Sequence, residues 1–295
     1  MTAIAASPGI ARSTVSTATI VNALSIDVED YFQVSAFAPH IDRGAWDTME
    51  CRVERNIECI LELLAEAEAK ATFFTLGWIA ERYPHVTRRI AEAGHEIASH
   101  GFEHCRASEQ DRDGFLADIR LAKAILEDVA GCEVRGYRAP SFSIGRSNPW
   151  AFDAIAEAGY RYSSSLYPIR HDHYGVPNGP RFAHTVRPEL LEIPIATVRL
   201  FQSNWPAGGG GYFRLLPYAV SRWSIRRIHA RDGKPAMFYF HPWELDPGQP
   251  RVPGPGAKTR FRHYLNLHRM APRLARLLRD FHWDRADRIF LDAGP

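Results

Sequence analysis

His100-Gly101-Phe102-Glu103-His104 places two imidazoles four residues apart. From one helical turn, or from a tight turn leaving a strand, such a pair can close on a single divalent cation. The chain has 13 histidines, so the spacing alone says little. Its company says more. Asp27-Val28-Glu29-Asp30 ends an apolar run upstream; Arg138-Ala139-Pro140 and Phe240-His241-Pro242 follow downstream. Together they supply a carboxylate ligand, a base, an anion-binding cation and an acid. Those groups are what metal-assisted amide or ester hydrolysis requires.

Three carboxylates within four residues repel one another unless a cation or shared protons offset the charge. Asp27, read as the last residue of its strand, is the expected general base. Asp30 or Glu29 would complete a metal shell with His100 and His104, and spacing leaves both open. Arg138 would hold the base ionised and oriented; a surface arginine fits that segment equally well. His241 would protonate a leaving amine or alkoxide, against the reading of a buried structural histidine. Phe142, Trp205, Tyr212, Phe213 and Trp243 offer flat faces to a sugar ring, or core packing.

The elements that must carry these residues alternate. Apolar, β-branched strands are expected at 20–27, 71–77, 95–100, 134–138, 160–163 and 235–241. Helices are expected at 53–69, 78–93 with a break near Pro84, 112–129, 148–158, 217–230 and 265–281. Between 167 and 215 the rhythm breaks, leaving two short apolar runs, 190–195 and 197–201. The alternation predicts a parallel α/β sheet. The polar candidates fall at the C-terminal ends of strands, where a β/α barrel or an open doubly wound sheet carries its site.

Bulk properties narrow the classes. The chain has 295 residues, 45% hydrophobic and 24% charged, with formal net charge +2, so nothing argues for nucleic acid. Basic clusters at 222–231 and 258–279 read best as solvated helix faces. Cys51, Cys59, Cys105 and Cys132 form no CxxC pair; Cys51 and Cys59 are expected as buried or half-buried thiols on one helix, and Cys105 is a weak third-ligand candidate. No apolar stretch reaches bilayer-spanning length. Residues 1–18 are expected to be a disordered leader, 19–246 a barrel with an insertion at 167–215, and 247–295 an extension whose basic helix packs on it. The expected location is cytoplasmic, or peripheral to the inner membrane.

The residues resemble those of the NodB-homology polysaccharide deacetylases, carbohydrate esterase family 4. Ser25-Ile26-Asp27-Val28-Glu29-Asp30, Ser99-His100-Gly101-Phe102-Glu103-His104, Arg138-Ala139-Pro140-Ser141-Phe142 and Phe240-His241-Pro242 resemble its motifs in order. Ala71-Thr72-Phe73-Phe74 and Gly94-His95-Glu96-Ile97-Ala98 resemble its framework, and the likeness spans residues 20–245. Asp27-Val28-Glu29-Asp30-Tyr31-Phe32, Gly210-Gly211-Tyr212-Phe213-Arg214 and His241-Pro242-Trp243-Glu244 look like the subgroup found with exosortase-linked exopolysaccharide loci.

This resemblance implies a distorted β/α barrel of about seven strands. It also implies a divalent metal (Zn2+, with Co2+ or Ni2+ as alternatives) and hydrolysis of N-acetyl groups on GlcNAc-type sugars. The implied partner is an acetylated amino-sugar polysaccharide or oligosaccharide. The implied roles are base for Asp27, acid for His241, orientation of the base for Arg138, and metal binding for His100 and His104. Tyr137, Pro140, Phe142, Trp205, Tyr212 and Trp243 are the expected substrate contacts, with the backbone N–H of Tyr137 a candidate oxyanion donor. Two departures stand out. Val28 occupies the usual metal-aspartate position; Asp-x-Asp spacing then favours Glu29, while reach and residue type favour Asp30, which is preferred. Ser163 stands where the family carries an aspartate that supports the arginine, and a serine supplies no charge. Two rival readings remain: a metal-independent hydrolase of a small cyclic amide, and a non-catalytic carbohydrate-binding relative. Polymer identity and oligomeric state stay open.

Overall fold

The computed structural model describes residues 19–172 and 174–292; the expected leader, 1–18, lies outside them. The first half alternates strand and helix: β1 (Val21–Val28), α1 (Val53–Glu66), β2 (Thr72–Thr75), α2 (Gly77–Arg82), α3 (Pro84–Glu92), β3 (Glu96–Ser99), α4 (Arg112–Ala130), β4 (Gly136–Tyr137), α5 (Ala151–Glu157) and β5 (Tyr162–Ser163). Pro84 opens α3, where its missing N–H costs nothing, and so divides the expected helix in two. β6 (His184–Arg187) and β7 (Leu190–Glu192) follow, then β8 (Thr197–Leu200) and β9 (Ser203–Pro206). The chain continues through α6 (Gly211–Leu215), α7 (Tyr218–Asp232), β10 (Met237–Phe240), α8 (Ala257–Tyr264), α9 (Met270–Asp280), β11 (His282–Asp284) and α10 (Ala286–Phe290).

The main sheet runs β10-β1-β2-β3-β4-β5-β7-β6. Seven of these strands, β10 to β7, are parallel; β6 pairs antiparallel with β7 at one edge. Beyond β10 the sheet continues only as a bridge between Gly209 and Tyr239. There a Cβ on Gly209 would meet the Tyr239 carbonyl at 2.1 Å, so glycine is required for the close approach. β8 and β9 form a separate hairpin. The result is a curled, open barrel with helices outside it, in accord with the expected distorted α/β barrel of about seven strands.

Apart from Val21 at the start of β1, the central strands are buried along their length, as parallel strands covered on both faces must be. Helix α1 turns Ile57, Ile60, Leu61 and Leu64 inward, and α4 does the same with Phe115, Ile119 and Leu126. The chain after Asp246 departs from expectation. It adds α8 before the expected basic helix, which begins later as α9. It then adds β11, whose residues pair with Val21, Asn22 and Ala23 of β1. Cys51 is half-buried but precedes α1 rather than lying on it, and Cys59 lies on α1 but is exposed.

Candidate active site

β1 ends one residue beyond Asp27, at Val28. Side chains alternate along an extended chain, so Asp27 and Glu29 share a face and Val28 and Asp30 share the other. This corrects the preference for Asp30. Its Oδ1 accepts the Tyr31 N–H at 2.8 Å, and its Oδ2 accepts the Arg52 and Val53 N–H groups at 2.6 and 2.9 Å. Asp30 therefore caps a short turn and ties it to the start of α1. Burial pushes its pKa up to about 6, against those N–H bonds.

His100 directly follows β3, and Gly101 turns the chain with φ +77°. A Cβ at Gly101 would meet Asp118 Oδ2 at 2.9 Å. The carboxylate of Asp118, on α4, accepts the Phe102 N–H at 3.3 and 3.4 Å. His104 also lies in the left-handed region, at φ +55°. The pair is thus presented by a tight turn rather than a helix, and the two ring centroids lie 5.2 Å apart.

Glu29, His100 and His104, all buried, offer ligand atoms within 4.8 Å of one another. Glu29 Oε2 lies 2.7 Å from His104 Nε2. His100 Nδ1 is 2.8 Å from the Arg138 carbonyl, so it carries the proton and Nε2 keeps its lone pair. His104 Nδ1 is 3.3 Å from Ser35 Oγ, which lies 2.7 Å from Ser141 Oγ. The indole N–H of Trp243 donates to Glu29 Oε1 at 3.1 Å. One carboxylate and two imidazoles, each steadied from behind, fit a divalent cation of the borderline class. Burial works against ionised Glu29, but His104, His241 and His100 hold its carboxyl far below the usual range. Cys105 is no part of this group.

On one flank, Arg138 Nη1 donates to Asp27 Oδ1 at 2.5 Å. The guanidinium is fully buried and lies 4.0 Å over the Phe74 ring. Its Nε and Nη2 donate to the carbonyl and hydroxyl of Ser164 at 3.0 and 2.9 Å. Ser163, the position expected to leave the arginine unsupported, points elsewhere, to Ser165 Oγ at 2.8 Å. On the other flank, His241 Nε2 lies 3.9 Å from Asp27 Oδ2 and 3.6 Å from Glu29 Oε1. Glu244 Oε1 takes the Nδ1 proton of His241 at 2.8 Å, and Arg214 Nε donates to Glu244 Oε2 at 2.5 Å. Burial disfavours the imidazolium, but Glu244, Glu29 and Asp27 outweigh it and raise the His241 pKa to about 9. Its Nε2 faces the two carboxylates.

The substrate contacts read from sequence fare unevenly. Tyr137 is wholly buried beside Phe115 and Tyr160, and Pro140 is buried too. Phe142 packs among Tyr167, Tyr174 and Tyr239. Trp243 stacks between His241 and His263, at 5.0 and 4.1 Å, so its faces are taken. Tyr212 is half-buried against the cluster that holds Phe142. Trp205 is half-exposed on the β8–β9 hairpin, opposite Val198. A cavity of about 430 Å³ opens beside His104, lined by Phe32, Ser35, Arg43, Trp46, Glu103 and Arg106 among others. Glu244 and Arg214 carried no assigned role in the sequence. The available signal was the resemblance of the Gly210–Arg214 and His241–Glu244 segments, which end on these two residues.

Comparison with known proteins bears on this geometry. Residues 42–163 match the family described as polysaccharide deacetylase. Residues 164–291 match a domain of unknown function, DUF3473. The chain is 36% identical over 81 residues to a peptidoglycan-N-acetylglucosamine deacetylase of Bacillus cereus, covering 28% of this chain and 30% of that protein. It is 38% identical over 84 residues to a chitooligosaccharide deacetylase of Azorhizobium caulinodans, covering 28% of this chain and 39% of that one. The chain thus spans well under half the length of these curated relatives. A crystal structure of a polysaccharide deacetylase from Mycobacterium smegmatis shares the fold. Its TM-score is 0.56 at 24% identity, over 92% of this chain and 88% of that one. His100, His104 and Arg138 lie in the segment that matches the polysaccharide deacetylase family, whereas Arg214, His241 and Glu244 lie in the segment that matches DUF3473.

Proposed function

We propose that the protein is a metal-dependent hydrolase that removes N-acetyl groups from GlcNAc-type residues of a polysaccharide. The observation that carries this reading is the buried Glu29–His100–His104 group, flanked by an arginine-held aspartate and a glutamate-held histidine. The relatives named for chitooligosaccharide and peptidoglycan N-acetylglucosamine point to the same substrate class.

Glu29, His100 and His104 would hold the cation, with zinc favoured by the imidazole donors. The chemistry such a cation supplies is Lewis-acid polarisation of the acyl oxygen and of the attacking water. Asp27, fixed by Arg138, accepts a proton from that water. His241 donates its Nε2 proton to the departing amine, while Glu244 stabilises and orients the imidazolium. Acetate and a free amino sugar result. The cavity beside His104 gives the sugar chain a route to the site. A role in exopolysaccharide biosynthesis is the biological setting suggested by the resemblance of the Gly210–Arg214 and His241–Glu244 segments.

The test is elemental mass spectrometry of the purified protein together with acetate release from N-acetylated chitooligosaccharides. Wild type should carry near-stoichiometric metal and release acetate; His100→Ala with His104→Ala should do neither. Wild type that takes up no metal after dialysis against zinc would sink the reading and promote a metal-free amidohydrolase.

A further inference from the structure

The support of Arg138 poses a charge problem. The guanidinium is sealed from solvent, and among the described residues its ion-pair partner is Asp27. A guanidinium buried this deeply must be held on every side, or its desolvation goes uncompensated. Its other contacts, to Ser164, are neutral.

Glu192 is placed to answer this. It ends β7, fully buried, and its Cα is registered against that of Ser163 on β5. Its Oε1 accepts the N–H groups of Ser165 and Leu166 at 2.9 and 2.8 Å. That grip fixes the three-serine loop. Ser164 in turn accepts both Arg138 bonds, and Ser165 Oγ accepts the Ala139 N–H at 3.0 Å. The second oxygen, Oε2, is buried with no hydrogen-bond partner. A buried carboxylate oxygen without a donor is costly, and its retention calls for a reason.

We propose that Glu192 is a positioning residue for Arg138: its carboxyl fixes the Ser163–Leu166 loop, and that loop grips the guanidinium that holds Asp27. The carboxylate that Ser163 cannot provide is thereby supplied from the neighbouring strand. Burial raises the pKa of Glu192 to about 7, against the pull of Ser163, the loop N–H groups and Arg138.

The inference rests on the deacetylase reading, so wild type is the first arm of the test. Steady-state acetate release from a chitooligosaccharide would be measured for wild type, Glu192→Gln and the transfer variant Ser163→Asp/Glu192→Ser. The glutamine variant keeps an Oε1 acceptor but no charge. Its kcat should fall roughly ten- to hundredfold with KM and bound zinc unchanged, as expected for misplacement of a base. The transfer variant should recover most of that loss. A Glu192→Gln kcat within twofold of wild type overturns the inference and leaves the deacetylase reading intact. An inactive wild type overturns the reading instead; the crystal structure of Glu192→Gln then decides the inference. Arg138 displaced from Ser164 or Asp27 supports it, and unchanged contacts overturn it. Should Glu192→Gln fail to fold, a folded Ser163→Asp/Glu192→Ser protein that holds Arg138 on Asp27 supports the inference. One with Arg138 displaced overturns it.

Discussion

At the scale of single residues, adjacent acids have separate tasks. Glu29 faces the imidazoles, and Asp30 closes a cap. Glu29→Gln is expected to lose metal, measured by elemental analysis, with little change in melting temperature. Asp30→Asn should keep the metal but lose about 1–3 kcal/mol in denaturant unfolding, because buried N–H groups of Arg52, Val53 and Tyr31 lose a charged acceptor. The pair Arg214–Glu244 behaves differently, since each partner is buried and each satisfies the other. Arg214 also donates to the carbonyls of Arg262, His263 and Leu265, so it joins the acid side of the site to α8. Arg214→Met should destabilise by about 3–5 kcal/mol by stranding Glu244 and those carbonyls. Glu244→Gln should lower kcat with metal content unchanged, because His241 loses its anionic partner.

At the scale of elements, the turn after β3 depends on α4. Asp118 receives the Phe102 N–H and fills the space where a Gly101 Cβ would sit. Burial raises its carboxyl pKa to about 6, opposed by that N–H bond. As pH rises, the unfolded carboxyl releases its proton near the ordinary aspartate value of 3.8, before the folded one does. Stability from this group is therefore present at low pH and is lost as pH rises toward about 6. Asp118→Asn removes that slope. Relative to wild type, its melting temperature should rise between pH 4 and pH 6 and run parallel above, as differential scanning fluorimetry across pH would show. Gly101→Ala should disturb the same turn. It combines a left-handed φ with a contact to Asp118, and should weaken zinc affinity as well as stability.

At the scale of the whole molecule, the C-terminal segment completes the barrel rather than trailing from it. Trp283 on β11 is buried against Phe238 and Phe281 and donates to the Leu277 carbonyl. Asp287 on α10 pairs with Arg135 and Arg285, and its N–H bonds Glu96 at the foot of β3. This closure lies at the N-terminal ends of the strands, while the candidate site lies at their C-terminal ends. Trp283→Ala should therefore lower stability by about 3–5 kcal/mol while leaving the metal content of the folded protein unchanged. Loss of metal in the folded variant would show that the two ends of the barrel are coupled.

The alternation of strands and helices, the break at Pro84 and the ordered acid, histidine and arginine positions were legible in the sequence. Each is a local consequence of periodicity, backbone stereochemistry or spacing. The choice between Glu29 and Asp30 was nearly legible, since a strand that continues through Val28 sends alternate side chains to opposite faces. Other features depend on distance along the chain. Asp27 meets Arg138 across 111 residues and Arg214 meets Glu244 across 30. No periodicity encodes those meetings. Short strands such as β7 and β11 have three residues each, too few for a pattern, and are defined by the ladder they join. Likewise Phe142 and Trp243 look like sugar platforms in sequence, but their rings are claimed by three tyrosines and by two histidines. Residue types determined which chemistry the chain can hold. Only the tertiary structure decided which carboxylate serves it and what holds that carboxylate in place, because burial and hydrogen bonding between distant segments set both.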